Sequence, residues 1–359
     1  MTGASLVVIG TGSLAHATCD ALATVSPEPL DVVVVGRTRG KADGVCYLSG
    51  TRAALDGTRV TFQPAVAGTD DHLAGILAET RPAGVYVCAS HQSPWERSAT
   101  PSAWTDLLAR AGFGLALPLH ADIAARVGRL TEAHRPGAWL VNACFPDAVN
   151  PVLAALGIPV LCGVGNAGTL AASLQAALGL PDQRRLHLLA HHAHLHAPHE
   201  AANEARAWLD DTPLPDVTAL LATQRATDRA LLNRVTGLTA ALVLSALLTG
   251  ADTDTHVPGP NGLPGGYPVR LAAGRVSLRL PAGVTEAEAI AFNAAAARRD
   301  GVRVEDGKVH FEPAAVAALP PAMAGRHSFG AAELSGVCRD LLALRAELRT
   351  EPTDPAQTA

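Results

Sequence analysis

Charged and aromatic residues are scarce in this chain. Of 359 residues only 17% are charged and 4% aromatic, and the net charge is -5. A nucleic-acid-binding protein carries an excess of basic residues, so the sequence predicts no nucleic-acid partner. Hydrophobic residues reach 48%, which excludes intrinsic disorder. A chain of this length can form one large core or two smaller ones, and two domains are expected.

Long hydrophobic runs and paired cysteines are also missing. The first residues lack the basic and apolar regions of a signal peptide, and no run reaches the roughly 18 residues of a membrane span. The nearest, residues 236–250, is interrupted by Thr and Ser and predicts a buried helix. Six cysteines occur without C-x-x-C spacing, which indicates reduced thiols. A cytoplasmic protein without membrane contact is expected.

Short apolar runs alternate with helical patterns in the first half. The runs are "SLVVIG", "LDVVVVG", "AGVYVCAS" and "AWLVNAC". Strands that are apolar on both faces are typical of a parallel sheet covered by helices. The sequence therefore predicts an α/β fold of the doubly wound Rossmann type.

A glycine-rich turn follows the first run. "GTGSLA" has Gly10, Gly12 and Ala15 in the spacing G-x-G-x-x-A, after a strand and before a helix. Glycines allow the backbone to approach a pyrophosphate, which the helix N-terminus then binds. The predicted cofactor contacts are Gly10, Thr11, Gly12, Ser13 and Leu14, with Ala89 and Ser90 after the fourth strand. The alternative is an ordinary glycine-rich turn.

The end of the second strand indicates which dinucleotide binds. An acidic residue there binds the ribose hydroxyl of NAD, whereas Arg binds the 2′-phosphate of NADP. This chain has "GRTRGK", with Arg37, Thr38, Arg39 and Lys41 and no acid. Guanidinium groups match phosphate geometry, so NADP(H) is the predicted cofactor. The alternative is a solvated basic turn.

The order of these landmarks resembles the lactate/malate dehydrogenase superfamily, which also contains an NAD-dependent glycoside hydrolase family. The similar segments are "GTGSLAHATCDAL", "DVVVVGRTRGKADGVCYLSGT", "AGVYVCASHQSPWERSATPSAWTDLLAR" and "GAWLVNACFPDAVNPVLAALGIPVLCGVGNAGTLAASLQAALGL". The resemblance implies a Rossmann domain over residues 1–158 and a mixed α+β, dehydrogenase-like substrate domain over 159–350. Residues 351–359 are expected to form a disordered tail.

The family's catalytic residues are only partly present. Its members use an Asp–His pair and a carboxylate-clamping Arg on the central helix, where this chain has Thr169 and Ala172. Without the clamp, a simple 2-oxo acid is not the expected substrate. On the family's mobile loop, Arg97 matches one Arg as an anion or carbonyl contact, and Trp104 replaces a second. The alternative is that both are ordinary loop residues.

Six of the fourteen histidines lie in "HLLAHHAHLHAPH", residues 187–199. The resemblance places His192 opposite the nicotinamide, where an imidazole exchanges the proton that accompanies hydride transfer. A strand is predicted here, with His192, His194 and His196 on one face. His194 or a backbone carbonyl is expected to orient His192 in place of the missing Asp. The alternative is a polar strand end.

The glycosidase branch binds a metal through a "C-H" and an "N-H" pair. In this chain, Cys162 matches the Cys of the first pair and His192 the His of the second. Gly163 stands in place of the histidine of the "C-H" pair, and Phe145 stands where an Asn is expected. No metal is therefore predicted. Asn142, at the end of the fifth strand, is expected to contact the cofactor ribose or the substrate oxygen.

The last segment predicts a hairpin, "VRVEDGKVHF", with Asp-Gly at its turn, and an amphipathic helix over residues 333–349. That helix packs on the body or on a partner subunit, and a homodimer is expected. The predicted function is NADPH-dependent reduction of a carbonyl or imine group in a specialised-metabolite or peptide-derived substrate. Two alternatives stay open: an NAD-dependent, metal-assisted glycosidase-like hydrolase or lyase, and a non-catalytic NADP(H)-binding protein.

Overall fold

A six-stranded parallel sheet forms the centre of the first half. The computed structural model describes residues 4–320, 323 and 325–353. The strands are β1 (Ala4–Ile9), β2 (Leu30–Gly36), β3 (Val60–Val66), β4 (Gly84–Val87), β5 (Trp139–Asn142) and β6 (Cys162–Gly163). Their order is β3-β2-β1-β4-β5-β6, the doubly wound arrangement, and Val8 of β1 pairs with Val34 of β2 and Tyr86 of β4. The predicted Rossmann fold is confirmed.

Helices connect these strands and cover both faces of the sheet. They are α1 (Ser13–Val25), α2 (Arg39–Asp56), α3 (Asp70–Thr80), α4 (Glu96–Ala99), α5 (Ala103–Ala111), α6 (Leu117–His134) and α7 (Pro146–Ala155). The sheet ends at Gly163, a few residues beyond the predicted domain boundary at residue 158.

The second half contains three small antiparallel sheets. The first comprises β7 (Leu186–Leu189), β8 (Arg206–Leu209) and β9 (Thr212–Pro213). The second comprises β10 (Thr253–Pro258), β11 (Gly266–Ala272) and β12 (Arg275–Leu278), and the third β13 (Val302–Glu305), β14 (Lys308–Phe311) and β15 (Ser328–Gly330). The helices are α8 (Asn166–Ala177), α9 (Val217–Leu220), α10 (Ala222–Ala226), α11 (Arg229–Thr249), α12 (Glu286–Arg299), α13 (Pro313–Ala318) and α14 (Leu334–Leu348). The predicted mixed α+β architecture is confirmed.

The third sheet and α14 belong to the core of the first half. Val309 and Leu341 share one hydrophobic cluster with Trp104 and Leu119 of the Rossmann half. The predicted hairpin is present, with Asp306 and Gly307 both at positive φ in its turn. Residues 354–359 of the predicted tail lie outside the described residues.

Two further expectations can be compared with the structure. All six cysteines are free. Among the described residues, α11 is long and apolar enough to cross a membrane, and α5 with the segment 113–134 passes the same test as a pair bent by 118°. As the sequence predicts, α11 buries residues such as Ala240 and Leu244 against the protein, although part of it stays exposed.

Candidate active site

The glycine-rich turn between β1 and α1 has the shape of a phosphate-binding turn. Gly10 adopts φ +136°, and a Cβ atom there would lie 2.9 Å from the carbonyl oxygen of Cys88. Gly12 precedes the first turn of α1, and a Cβ atom there would meet nothing within 4 Å. The turn thus needs glycine at residue 10 and leaves open space at the helix N-terminus, where an anion can bind.

Two elements that are distant in sequence contact this turn through hydrogen bonds to Ser13. The Ser13 hydroxyl oxygen accepts hydrogen bonds from Trp95 Nε1 (3.3 Å) and from Asn233 Nδ2 (2.9 Å). Trp95 belongs to the loop after β4, and Asn233 to α11. The loop that carries Arg97 therefore borders the predicted cofactor site, as do Thr11 and the half-buried Leu14.

The residues after β4 lie next to the glycine-rich turn, and hydrogen bonds fix their positions. The Ala89 carbonyl accepts a hydrogen bond from the Cys144 thiol (3.2 Å), and the Ser90 hydroxyl donates to the Gln92 carbonyl (2.5 Å). The Cys144–Ala89 bond joins the carboxyl ends of β4 and β5, at the edge of the sheet where α/β folds bind ligands, and the Ser90–Gln92 bond lies within the loop after β4.

The basic turn after β2 is fully exposed. Arg37, Thr38, Arg39 and Lys41 all face solvent, and Thr38 is the residue before α2. Arg39 Nε donates to Asp43 Oδ1 at 2.8 Å, so a carboxylate within the protein already engages that guanidinium. Arg37 has no described ion pair and is the more available of the two arginines for a phosphate.

His192 is paired with a carboxylate that the sequence did not suggest. Its Nδ1 donates to Oδ2 of Asp300, the residue after α12, at 2.7 Å. The expectation that His194 or a backbone carbonyl orients His192 is therefore wrong. The ring also stacks on Phe113, with centroids 4.3 Å apart, and meets the edge of Phe145 at 5.2 Å. Its Nε2 has no hydrogen-bond partner among the described residues, and the side chain is 15% exposed.

Charges around His192 favour its protonated form. Burial alone would lower the pKa of His192, but the adjacent Asp300 carboxylate, helped by Asp147, outweighs burial and raises it. Burial would likewise raise the pKa of Asp300, and His192 lowers it. Asp147 accepts the His192 backbone N–H at 3.1 Å, and burial raises its pKa to about 6. The pair can hold a proton at Nε2 in an environment from which bulk water is largely excluded.

Two further histidines of this stretch, His191 and His194, are buried and neutral. His194 Nδ1 accepts the His191 backbone N–H at 2.8 Å, and its Nε2 donates to the Asn203 carbonyl at 3.1 Å. Burial lowers the pKa of His191 to about 3 and that of His194 to about 4.

The predicted strand through these histidines is wrong. β7 ends at Leu189, and residues 192–195 form a 3₁₀ turn, so His192, His194 and His196 do not share a strand face. Ala190 pairs with Gly266 of β11 immediately before the turn.

Solved structures were compared with this architecture. The chain superimposes on malate dehydrogenase from Salinibacter ruber (TM-score 0.54, 15% identity, 96% of this chain and 99% of that one). It also matches malate dehydrogenase from Picrophilus torridus (0.56, 13%, 83% and 96%) and a Cryptosporidium parvum lactate dehydrogenase solved with lactic acid and nicotinamide adenine dinucleotide (0.52, 14%, 84% and 96%). This chain has the lactate/malate dehydrogenase fold. No family model and no curated protein sequence matches it.

On the central helix α8, neither of the two positions compared with the family carries a carboxylate or a guanidinium group. Thr169, at the predicted Asp position, bonds to the Gly165 carbonyl and to the Thr236 hydroxyl, and Ala172 has no polar side chain. Trp104 is not in a substrate cleft: it is fully buried, and its Nε1 donates to Gln92 Oε1 at 3.0 Å. Trp104, which the resemblance places at the second Arg of the mobile loop, therefore fills the core.

Two other predicted residues lie at the edge of this site. Arg97 is exposed on α4, with no hydrogen bond or ion pair described for its side chain. Asn142 is buried, and both amide hydrogens are used, one for the Cys144 carbonyl and one for Asn150 Oδ1. Asn142 therefore shapes the turn after β5 and has no donor left for a ligand. Cys162, half of the considered metal pair, is buried in the apolar core.

Sequence reasoning missed Asp300, Phe113 and Asp147. Asp300 and His192 are 108 residues apart. Asp300 stands in "RRDGV", between a helix and a hairpin, where an Asp is usually a turn residue. No local pattern marks it as the partner of His192.

Proposed function

We propose that this protein is an NADPH-dependent oxidoreductase that reduces a carbonyl or imine group, with His192 as the proton donor. The observation that carries this proposal is the His192–Asp300 pair. A carboxylate bonded to one ring nitrogen fixes the tautomer and leaves the other nitrogen to deliver a proton, the arrangement used for general acid catalysis. The solved dehydrogenases of this fold support a nicotinamide cofactor.

Each group of residues has a defined task. The turn at Gly10 and Gly12 would hold the pyrophosphate, and Arg37 the 2′-phosphate. A nicotinamide dinucleotide, when bound, supplies the hydride. His192 donates the Nε2 proton to the substrate oxygen or nitrogen, and Asp300 stabilises the imidazolium before transfer. Arg97, exposed on the loop that reaches Ser13, is proposed as an anion or carbonyl contact.

The surroundings of His192 support a substrate unlike pyruvate or oxaloacetate. Phe113 and Phe145 line the imidazole, and Ala172 provides no carboxylate clamp. An apolar wall without a bidentate Arg suits a larger, less charged molecule, such as a specialised metabolite or a peptide-derived cyclic imine.

The cofactor preference is tested by calorimetric titration with NADPH and NADH. Arg37→Ala should weaken NADPH binding by about 1.5–3 kcal/mol, roughly ten- to hundredfold, because a charge-assisted phosphate contact is lost. NADH binding should change little. The matched control is Arg59→Ala. Arg59 is an exposed arginine immediately before β3, and Arg37 follows β2, so the two lie at opposite ends of these parallel strands. Tighter binding of NADH than of NADPH by the unmutated protein would refute the proposed preference.

The reaction is tested by following NADPH consumption with a panel of aldehydes, ketones and cyclic imines. Turnover should fall by about 10²- to 10⁴-fold in His192→Gln, the contribution typical of a general acid. Cofactor binding without turnover of any compound would favour the non-catalytic alternative.

A further inference from the structure

Three side chains of the types that bind transition metals lie close together in a cluster that does not include His192. They are His91, after β4, Asp122, on α6, and Cys338, on α14, and one ligand atom from each lies within 4.8 Å of the other two. Cysteine, histidine and aspartate are the ligands that zinc takes in proteins. The three come from distant parts of the chain, so no sequence spacing reveals them.

Two of the ligands are already held in position. His91 Nε2 and Asp122 Oδ2 are 3.1 Å apart, and the Ser335 hydroxyl donates to Asp122 Oδ1 at 2.8 Å. Ser335 and Cys338 lie one helical turn apart on α14, so both face α6. A hydrogen bond to the non-ligating carboxylate oxygen is the usual support around a metal.

The backbone of His91 is fixed on both sides as well. Its N–H donates to the Leu119 carbonyl at 3.0 Å, and its carbonyl accepts from Arg345 Nη1 at 2.8 Å. The imidazole therefore requires only a small side-chain movement to reach a shared ion.

We propose that His91, Asp122 and Cys338 bind a divalent transition metal of the zinc class. Cys338 is 1% exposed, whereas the side chains of His91 and Asp122 are 30% and 23% exposed. The ion would thus reach the cluster from the His91–Asp122 side, where water can complete a tetrahedral shell. On binding, the Cys338 thiol releases its proton to solvent, and thiolate and carboxylate neutralise the two charges of the ion.

Such an ion would link α14 to the start of the loop after β4. This cluster uses neither Cys162 nor His192, the two residues that match the metal pairs of the glycosidase branch. The proposal does not depend on the proposed reductase activity.

The test uses the full chain and zinc alone. After removal of metal, the protein should take up one Zn²⁺ per chain, measured by elemental analysis after dialysis, and its melting temperature should rise because the metal binds the folded state. Cys338→Ser and Asp122→Asn should each weaken binding on the order of a hundredfold or more, since even supporting residues contribute ten- to hundredfold. His196→Ala/His199→Ala, which removes two exposed imidazoles from the histidine-rich stretch, should leave uptake unchanged.

Cobalt provides a readout that can be measured on the unmutated protein alone. Co²⁺ added to the metal-free unmutated protein should give a thiolate-to-metal charge-transfer band. That band should vanish in Cys338→Ser and persist in Cys162→Ser, another buried cysteine. The proposal is overturned if the unmutated protein takes up no zinc, if cobalt binds without the thiolate band, or if only the His196/His199 variant loses metal.

Discussion

At the scale of single residues, His192 and Asp300 determine what chemistry the site can perform. Thr169 stands where the family has Asp, and its hydroxyl carries no negative charge. It therefore could not raise the pKa of His192 as a carboxylate does. Asp300 supplies that charge at 2.7 Å from a different part of the fold. Because the folded pKa of His192 lies above its unfolded value of about 6.5, protonated His192 stabilises the fold fully below that pH for as long as Asp300 stays ionised. Its contribution is lost as the pH rises through the folded pKa.

The effect of Asp300 on His192 can be measured without a substrate. In Asp300→Asn the raising charge is gone while burial remains, so we expect the pKa of His192 to fall below its value in the unmutated protein. NMR titration of the ring Cε1–H signal would report this change. For the proposed reduction, which needs the protonated imidazole, the alkaline limit of activity should move to lower pH.

Asp306→Asn is the matched control for this titration. Asp306 is an exposed Asp in the neighbouring hairpin turn, at φ +49°, where Asn is well tolerated. It should leave the His192 titration unchanged. An unaltered pKa in Asp300→Asn would show that the short contact does not control protonation.

At the scale of elements, features that depend on neighbouring residues could be predicted from the sequence, whereas pairing between distant residues could not. The turn at Gly10 and the hairpin at Asp306-Gly307 follow from residues adjacent in sequence, so both could be predicted. β7 ends at Leu189, and the pairing of Ala190 with Gly266 just after it joins residues that no local pattern relates. His192 was found from its position after a strand, but its environment comes from Phe113 and Asp300, which tertiary packing brings to it.

The short helix α4 is tied to α14 by one buried carboxylate. Glu96 is 3% exposed and pairs with Arg345 (2.6 Å) and Arg349 (2.8 Å). Glu96→Gln removes the charge and leaves both guanidinium groups without it. We expect the free energy of unfolding to fall by about 2–3 kcal/mol, the lower range for a broken buried pair because Arg349 is partly exposed. Urea denaturation measures the loss, and faster proteolysis in the loop after β4 should accompany it.

Glu79→Gln, on the exposed side of α3, is the control for the same chemical change. It should alter stability by no more than about 0.5 kcal/mol. Equal stability of the two variants would mean that the loop is held by other contacts.

At the scale of the whole molecule, the Rossmann half and the C-terminal segment share one hydrophobic core. Residues of β13, β14 and α14 fill the same cluster as Leu115 and Leu140 of the Rossmann half. Asp300, two residues before the start of β13, is positioned by this packing: its backbone carbonyl accepts a hydrogen bond from Gly114 N–H at 2.7 Å. The site therefore depends on the packing of the C-terminal segment.

Nearly all of the large exposed apolar side chains of the described residues lie on α2 and α11, two helices that both pack on α1. We call this set of side chains the α2–α11 face, and it comprises Tyr47, Leu48, Leu55, Leu231, Val235, Leu238 and Leu242. Those on α11 recur at intervals of four, three and four residues and so line one side of the helix. An exposed apolar surface of this kind marks an interaction site, and a twofold axis lets one such face cover its own copy.

We therefore expect a homodimer that buries the α2–α11 face. Sedimentation velocity of the unmutated chain should show a dimer, and Leu238→Glu/Leu242→Glu should weaken dimerisation at least about a hundredfold, because four leucines per dimer lose their burial. Ala78→Glu, on the exposed side of α3, should leave the dimer intact. A monomer at every concentration would contradict the expectation. Binding of the unmutated chain to lipid vesicles, abolished by the double Glu variant, would instead assign the face to a membrane, since α11 has the length and hydropathy of a span.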